Sequence, residues 1–349
     1  MTSRERLEAA FRCREVDRIP VSPQGFGRVG PDSELGRSLL KETDVHVYTG
    51  GGLDWFGKDV RVESLDEGDL SITIWHTSAG EFRTVSRTTE RTSARVEFPC
   101  RTPQDGERFL KVPFGLDRER IARAAEEFHR RRAEMGEDGM ALAGIPDGIC
   151  LPAELFSPED FCLLWVDAPD MMESLVREGH RRVMQGVRAL LERGVDAFRI
   201  IGPEYASTQL GPDAYERLVV PYDRELVALI KGAGAIAYLH NHGPIMRYLP
   251  MIREIAPNAL DPVEAPPWGD FVPERARELL GEEVCIVGNL DDMEVLDKRP
   301  FEDIWAAAER LMQALGKRGL VLSGTASGIY GVQAAENFLM LARKVGRLG

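Results

Sequence analysis

From Gly139 onward the chain repeats one unit to its end: a short apolar run, a loop carrying glycine or proline, and an amphipathic helix. Strands that alternate with helices in this way pair in parallel through crossover connections, so the rhythm limits the fold to an α/β architecture. Strands are predicted at 140–145, 197–201, 235–239, 259–263, 284–287 and 320–322. Between them, Met172, Leu175, Val176, Val183, Val187, Leu190 and Leu191 share one helical face, and Phe301, Ile304, Trp305, Ala308, Leu311 and Leu315 share another. Ahead of the array, Thr2 and Glu5 have capping-box spacing before Leu7, Ala10 and Phe11, which predicts a short helix, and 19–21 is a candidate first strand. Residues 68–98 alternate polar and apolar side chains, as in Leu70, Ile72 and Ile74, which predicts an antiparallel hairpin inserted over one face.

Two architectures share this rhythm, a closed (β/α)8 barrel and an open doubly wound sheet. The open sheet announces itself by a glycine-rich phosphate turn between its first strand and first helix. Gly25-Phe26-Gly27-Arg28-Val29-Gly30 has that spacing, but Pro31-Asp32-Ser33 follows rather than a clear helix, and no acidic residue ends a second strand at the expected distance. The favoured reading is one domain over residues 1–349, a barrel with an insertion at about 68–98.

The composition, 43% hydrophobic and 29% charged over 349 residues, is that of a globular enzyme rather than a disordered chain. A formal net charge of −13 argues against tracking a nucleic-acid backbone, which needs clustered cations. The arginines of 118–132 alternate with Glu and Ala at helical spacing and read as a solvated helix face. Five scattered cysteines without C-x-x-C spacing, no apolar signal segment and no long apolar run lead to the expectation of a cytoplasmic protein with reduced thiols and no membrane role.

In a barrel the residues just after each strand converge on one mouth. Here they are polar: Glu204 and Tyr205, His240-Asn241-His242, Glu264, Asn289 and Asp291, and Ser323 to Gly328. His240 and His242 alternate with Asn241 and so share one side of a strand. Two imidazoles with a carboxylate from Glu204 or Glu264 make a candidate zinc site, and a hydrogen-bonded pair that orients a loop or binds an acidic substrate is the other reading. His129 and His180 lie in charged helices and are expected at the surface, as is the hairpin pair Trp75-His76. Cys285, inside a strand, is expected to be a buried small hydrophobe. Phe26, Trp55, Trp75, Tyr205 and Trp268 could line a pocket for a ring.

Asp17-Arg18-Ile19-Pro20-Val21, Leu239-His240-Asn241-His242-Gly243, Val287-Gly288-Asn289-Leu290-Asp291 and Ala335-Glu336-Asn337, in that order, resemble the uroporphyrinogen decarboxylase superfamily. The resemblance implies a (β/α)8 barrel and one of two activities, cofactor-free decarboxylation of a porphyrinogen or zinc-dependent methyl transfer involving corrinoid proteins or thiols. Decarboxylases carry Arg-Gln-Ala-Gly-Arg after the first strand and a histidine after the last; this chain has Pro23 to Arg28 and Ala326-Ser327-Gly328. Members that methylate the thiol coenzyme M carry His-x-Cys and a further Cys; this chain has His240-x-His242 and Thr325. The resemblance therefore implies a zinc-dependent methyltransferase that moves a methyl group from a methoxylated small molecule, aromatic methyl ethers among the candidates, to cobalamin on a partner corrinoid protein. Decarboxylation is the alternative, and a non-catalytic binding barrel is a third reading. On this reading His240, His242 and Glu204 are catalytic, the metal is held by these and Glu264, and Glu264, Gln209, Asn289 and Tyr205 contact substrate. The family also makes a homodimer an expectation, with the hairpin contributing to the partner's docking surface.

Overall fold

A computed structural model describes residues 1–325 and 329–348. Eight parallel strands form the barrel: β1 (Val21–Ser22), β2 (Val45–Gly50), β7 (Gly139–Pro146), β8 (Ala197–Ile201), β9 (Ile236–His240), β10 (Ala259–Asp261), β11 (Cys285–Asn289) and β12 (Leu320–Ser323). Strands β3 (Arg61–Glu67), β4 (Leu70–Thr77), β5 (Gly80–Thr88) and β6 (Ser93–Glu97) form a separate antiparallel sheet between β2 and β7. The barrel order runs β1, β12, β11, β10, β9, β8, β7, β2. It closes between β1 and β2, where Asp44 N–H donates to Val21 O at 2.8 Å and Gly25 N–H donates to His46 O at 2.7 Å.

The Asp-Arg-Ile-Pro motif serves this closure. Asp44, fully buried just before β2, accepts from Arg6 Nη1 and Arg18 Nη1, both at 2.6 Å, and from Val21 N at 3.0 Å. Asp17 in turn accepts from Arg6 Nε at 2.6 Å. The N-terminal helix Ser3–Phe11, whose Thr2 and Glu5 form the expected capping box, is thereby tied to the seam and packs Leu7 and Phe11 into the lower end of the barrel. No helix among the described residues is long and apolar enough to cross a membrane.

Three expectations about secondary structure need correction. The strand β2 was absent from the sequence reading, because its inward residues His46 and Tyr48 are polar and no apolar run marks it. The inserted hairpin is a four-stranded meander that begins at Arg61; β3 and β6 are almost wholly exposed, so they lack the half-buried alternation that reveals a strand. A helix does follow the glycine loop, Glu34–Glu42, with Ser33 accepting from Gly36 N as its N-cap. The loop itself is a packing device: Gly27 has φ +56°, and a Cβ there would lie 2.5 Å from Tyr330 O. Tyr330 also donates its hydroxyl to Gly25 O at 2.7 Å.

The insertion packs through Phe82 against Phe56 and Phe109, and Arg182, a buried guanidinium, lies over the Phe109 and Phe114 rings at 4.8 Å each. His180 is buried rather than at the surface: the helix Pro169–Leu191 turns it against Tyr222, and its Nε2 lies 3.1 Å from Glu225. His129 is exposed, and the helix Arg118–Met135 carries its arginines on a solvated face laced with Glu127 and Glu134. Cys285 is fully buried, and all five cysteines are free.

Candidate active site

Side chains alternate along a strand, so each barrel strand sends every second residue inward. In the lower half these are apolar: Met140, Leu142, Ala197, Ile236, Ala259, Cys285, Val287 and Val321 cluster with Tyr238 and the N-terminal helix. Two residues further along the same strands the inward positions turn polar: Arg199 after Ala197, His240 after Tyr238, Asp261 after Ala259 and Asn289 after Val287. The barrel is thus closed below and polar above, at the C-terminal strand ends where barrel enzymes place their chemistry.

His240 and His242 meet edge to face with ring centroids 4.4 Å apart. Each imidazole gives its Nδ1 to a buried carboxylate from the next strand: His240 to Asp261 Oδ1 at 2.9 Å, His242 to Glu264 Oε1 at 3.0 Å. Glu264 Oε2 also accepts from Gly243 N at 2.7 Å, so both its oxygens are engaged. Burial alone would raise the Glu264 carboxyl; the His242 hydrogen bond and the Gly243 amide outweigh it and hold it below its ordinary value. Burial likewise raises Asp261, but the His240 and Arg199 charges bring it below the carboxylate norm. Burial lowers the His242 imidazole, yet Glu264, with Asp261 and Glu204 behind it, lifts it above its usual value.

Asp261 anchors a chain of polar groups across the barrel. Gln24 Nε2 approaches its Oδ2 at 3.4 Å, Tyr48 donates its hydroxyl to Gln24 Oε1 at 3.0 Å, and His46 Nε2 lies 2.9 Å from Tyr48. His46 Nδ1 ends the chain 2.7 Å from Ser22 Oγ. Burial pushes His46 down to about 4, so it stays neutral.

A catalytic zinc takes three protein ligands and keeps one position open. The histidine pair fits that role, because a carboxylate on Nδ1 fixes the tautomer and leaves the Nε2 lone pair for a metal. The third ligand is not gathered with them: among the described residues no group of three or more His, Cys, Asp or Glu is arranged to hold an ion. Ala326, Ser327 and Gly328, the positions compared with the decarboxylase histidine, lie outside the described residues.

The remaining candidates spread around the mouth. Glu204 follows β8, accepts from Gly202 N at 3.1 Å and is near enough to raise His242. Asn289, at the top of β11, donates to Val263 O at 2.9 Å. Tyr205 turns toward the insertion, packing edge-on to Phe161, and burial pushes its phenol up to about 12. Gln209 is exposed in a π-helical turn (Ala206–Leu210) and lines a separate cleft with Arg247 and Tyr248. A larger cleft of about 480 Å³ lies between the insertion and the strand ends Pro146 and Ile201, lined by Trp55, Trp75 and Arg120. Trp75 stacks on Phe56 at 4.5 Å, so the hairpin tryptophan is turned to this cleft.

Besides Asp261, further interior polar groups escaped the sequence reading. Arg199 was hidden inside the apolar run Ala197–Ile201, where a lone arginine between Phe198 and Ile200 is itself the signal. Asp147, just past β7, and Asp223, in the helix Val220–Gly232, are each about 1% exposed, and burial raises both carboxyls. Asp223 lay in an ordinary helical pattern, with nothing in its neighbours to mark it.

Comparison with known proteins places this geometry. Of the curated proteins, a methylcobamide:CoM methyltransferase, MtbA, of Methanosarcina mazei is 28% identical over 131 residues, which are 36% of this chain and 36% of that protein's length. A solved methyltransferase structure from Methanosarcina mazei superposes with a TM-score of 0.66 at 18% identity, covering 99% of this chain and 98% of the other, and confirms the fold. The model of the uroporphyrinogen decarboxylase (URO-D) family matches residues 84–347, from the insertion through the C-terminal helix. With most of its length matched and the polar barrel mouth in place, the chain belongs to the uroporphyrinogen decarboxylase family.

Proposed function

We propose that the protein is a methyltransferase that takes a methyl group from a methoxylated small molecule, with aromatic methyl ethers as one class to test, and passes it to a corrinoid carried by a partner protein. The observation that carries this reading is the His240–His242 pair, with both Nδ1 atoms committed to carboxylates at 2.9 and 3.0 Å. The Methanosarcina mazei relative, named for methyl transfer between a methylcobamide and CoM, supports the choice of chemistry.

His240 and His242 would hold a zinc ion through Nε2, with Asp261 and Glu264 as their orienting partners and Glu204 as the nearest carboxylate to complete the set. Zinc would supply Lewis acidity, making an otherwise inert ether oxygen a better leaving group. In the transfer the methyl–oxygen bond breaks, its electron pair stays on oxygen, and the oxygen leaves as an alcohol or phenol after taking a proton from water. The partner's corrinoid, as the accepting substrate, would supply the electron pair for the new bond to the methyl carbon. The chain's own part is to bind the ether in the well formed by the polar upper part of the barrel, align it, and keep the two imidazoles rigid. The partner would dock over the mouth, with the insertion as one wall.

Decarboxylation without a metal is the second reading, favoured by the inward cation Arg199. Elemental analysis of purified protein, beside His240→Ala and His242→Ala variants with unchanged circular dichroism, separates the two. Near-stoichiometric zinc lost in both variants supports methyl transfer. Metal-free protein after zinc-replete preparation refutes the zinc reading.

A further inference from the structure

Arg199 is an interior arginine without an acceptor. Its neighbours Phe198 and Ile200 face the outer core, so its own side chain enters the barrel, where the guanidinium lies 4.3 Å over the Tyr48 ring. A guanidinium carries five N–H donors. Among the described residues none of Arg199's donors has a hydrogen-bond or ion-pair partner, and Nε is fully buried. The nearby carboxylates are engaged elsewhere, Asp261 with His240 and Gln24, Glu204 with Gly202 N. The residue is nevertheless only part-buried; with Phe198 and Ile200 packed into the outer core, that remaining exposure lies on the barrel's interior side, toward its polar upper end.

Unmet buried donors are rare in folded proteins because each forfeits its hydrogen bond to water without a replacement, and the loss is greater for a charged group. A planar fork stacked on an aromatic ring is the arrangement that receives a carboxylate or a related oxyanion through paired hydrogen bonds. Its height is set by register: Arg199 pairs with Tyr238, and His240 lies two residues further along β9, roughly 6.6 Å up the strand. An oxyanion on Arg199 would therefore sit below the imidazoles by roughly the length of a short spacer.

We propose that Arg199 is the anion-binding residue of the well, and that the ligand it selects is a small molecule bearing a carboxylate or sulfonate a few bonds from its reactive end. The link to a methylated substrate rests on the proposed function; the anion site does not need it. Calorimetry on metal-free protein would compare methoxyacetate and 2-methoxyethanesulfonate with the neutral 2-methoxyacetamide, for the native chain and for Arg199→Met and Arg199→Lys. The expected result is at least tenfold tighter binding of a charged probe than of the amide by the native chain. That preference should vanish in Arg199→Met, return in part in Arg199→Lys, and leave amide binding unchanged. The stronger of the two anions identifies the oxyanion. Equal binding of charged and neutral probes by the native chain would overturn the proposal and leave water as the guanidinium's partner; so would a preference that survives in Arg199→Met. Should Arg199→Met fail to fold, the native comparison and Arg199→Lys decide alone. Absence of zinc with anion selectivity intact would remove the metal reading and leave this one standing.

Discussion

Replacing Asp223 with Asn should flatten the pH dependence of stability between about pH 4 and 8. Asp223 is about 1% exposed, and neither carboxylate oxygen has a hydrogen-bond partner. Burial first, and the Glu204 charge second, push its pKa up to about 8. In the unfolded chain an aspartate titrates near ~3.9. Because the folded value is the higher one, the stabilising contribution is complete below ~3.9 and is lost as pH climbs through about 8. A rise of roughly four units at ~1.4 kcal/mol each sets a ceiling of ~6 kcal/mol. Asp147, raised by burial and by Asp223 and Glu204, shares the repulsion, so ~2–3 kcal/mol is the expected effect of removing one member. Asparagine keeps the shape and cannot ionise. Urea unfolding at about pH 4 should therefore give the variant and the native chain stabilities within ~1 kcal/mol, whereas at about pH 9 the variant should be the more stable by ~2–3 kcal/mol, with about half of that gap already open at about pH 6. Parallel stability curves for the two proteins from about pH 4 to 9 would refute the assignment of a buried, protonated Asp223.

Other perturbations test the seam and the site. Arg6→Met leaves the fully buried Asp44 with Arg18 as its remaining side-chain cation and should cost ~3 kcal/mol in urea unfolding, the low end for breaking a buried pair because Arg18 stays. Gly27→Ala places a Cβ against Tyr330 at a backbone φ of +56° and should destabilise by ~1–3 kcal/mol, read as a lowered thermal midpoint, while Gly25→Ala, with open space around it, should cost less. Asp261→Ala frees His240 Nδ1 and should weaken zinc affinity at least tenfold in competition with a chelator, with secondary structure retained.

The legible part of this fold was the part in which one face of an element is apolar. The strands from β7 onward could be placed because apolar runs and amphipathic helices alternate there. Strand β2 could not, because a barrel strand whose inward residues join a polar network carries His46 and Tyr48 where a run of Val or Ile would have marked it. The outer strands β3 and β6 failed for the opposite reason, since they bury almost nothing. The histidine pair was visible from spacing, but its partners were not all as expected: Asp261 lies 21 residues away, and only the register of β9 with β10 brings it to His240. Glu264 was foreseen as a metal ligand, and nothing in the sequence tells that its oxygens go to His242 and Gly243 N.

The change from apolar to polar within a single pair of inward positions explains how the barrel tolerates so many titratable groups. Burying a charge is costly unless other groups complete its hydrogen bonds. Asp261 is completed by His240 and Gln24, and Glu264 by His242 and Gly243 N, so each carboxylate stiffens an imidazole instead of straining the fold. The lower inward layer and the N-terminal helix exclude water from beneath them, which strengthens those contacts by lowering the local dielectric. Arg199 and Asp223 stand outside this economy, one with unmet donors and one with unmet oxygens. They differ in what can relieve them. Asp223, fully enclosed, can only take up a proton, and so governs stability. Arg199, open to the well, can take a ligand, and so governs what the well selects.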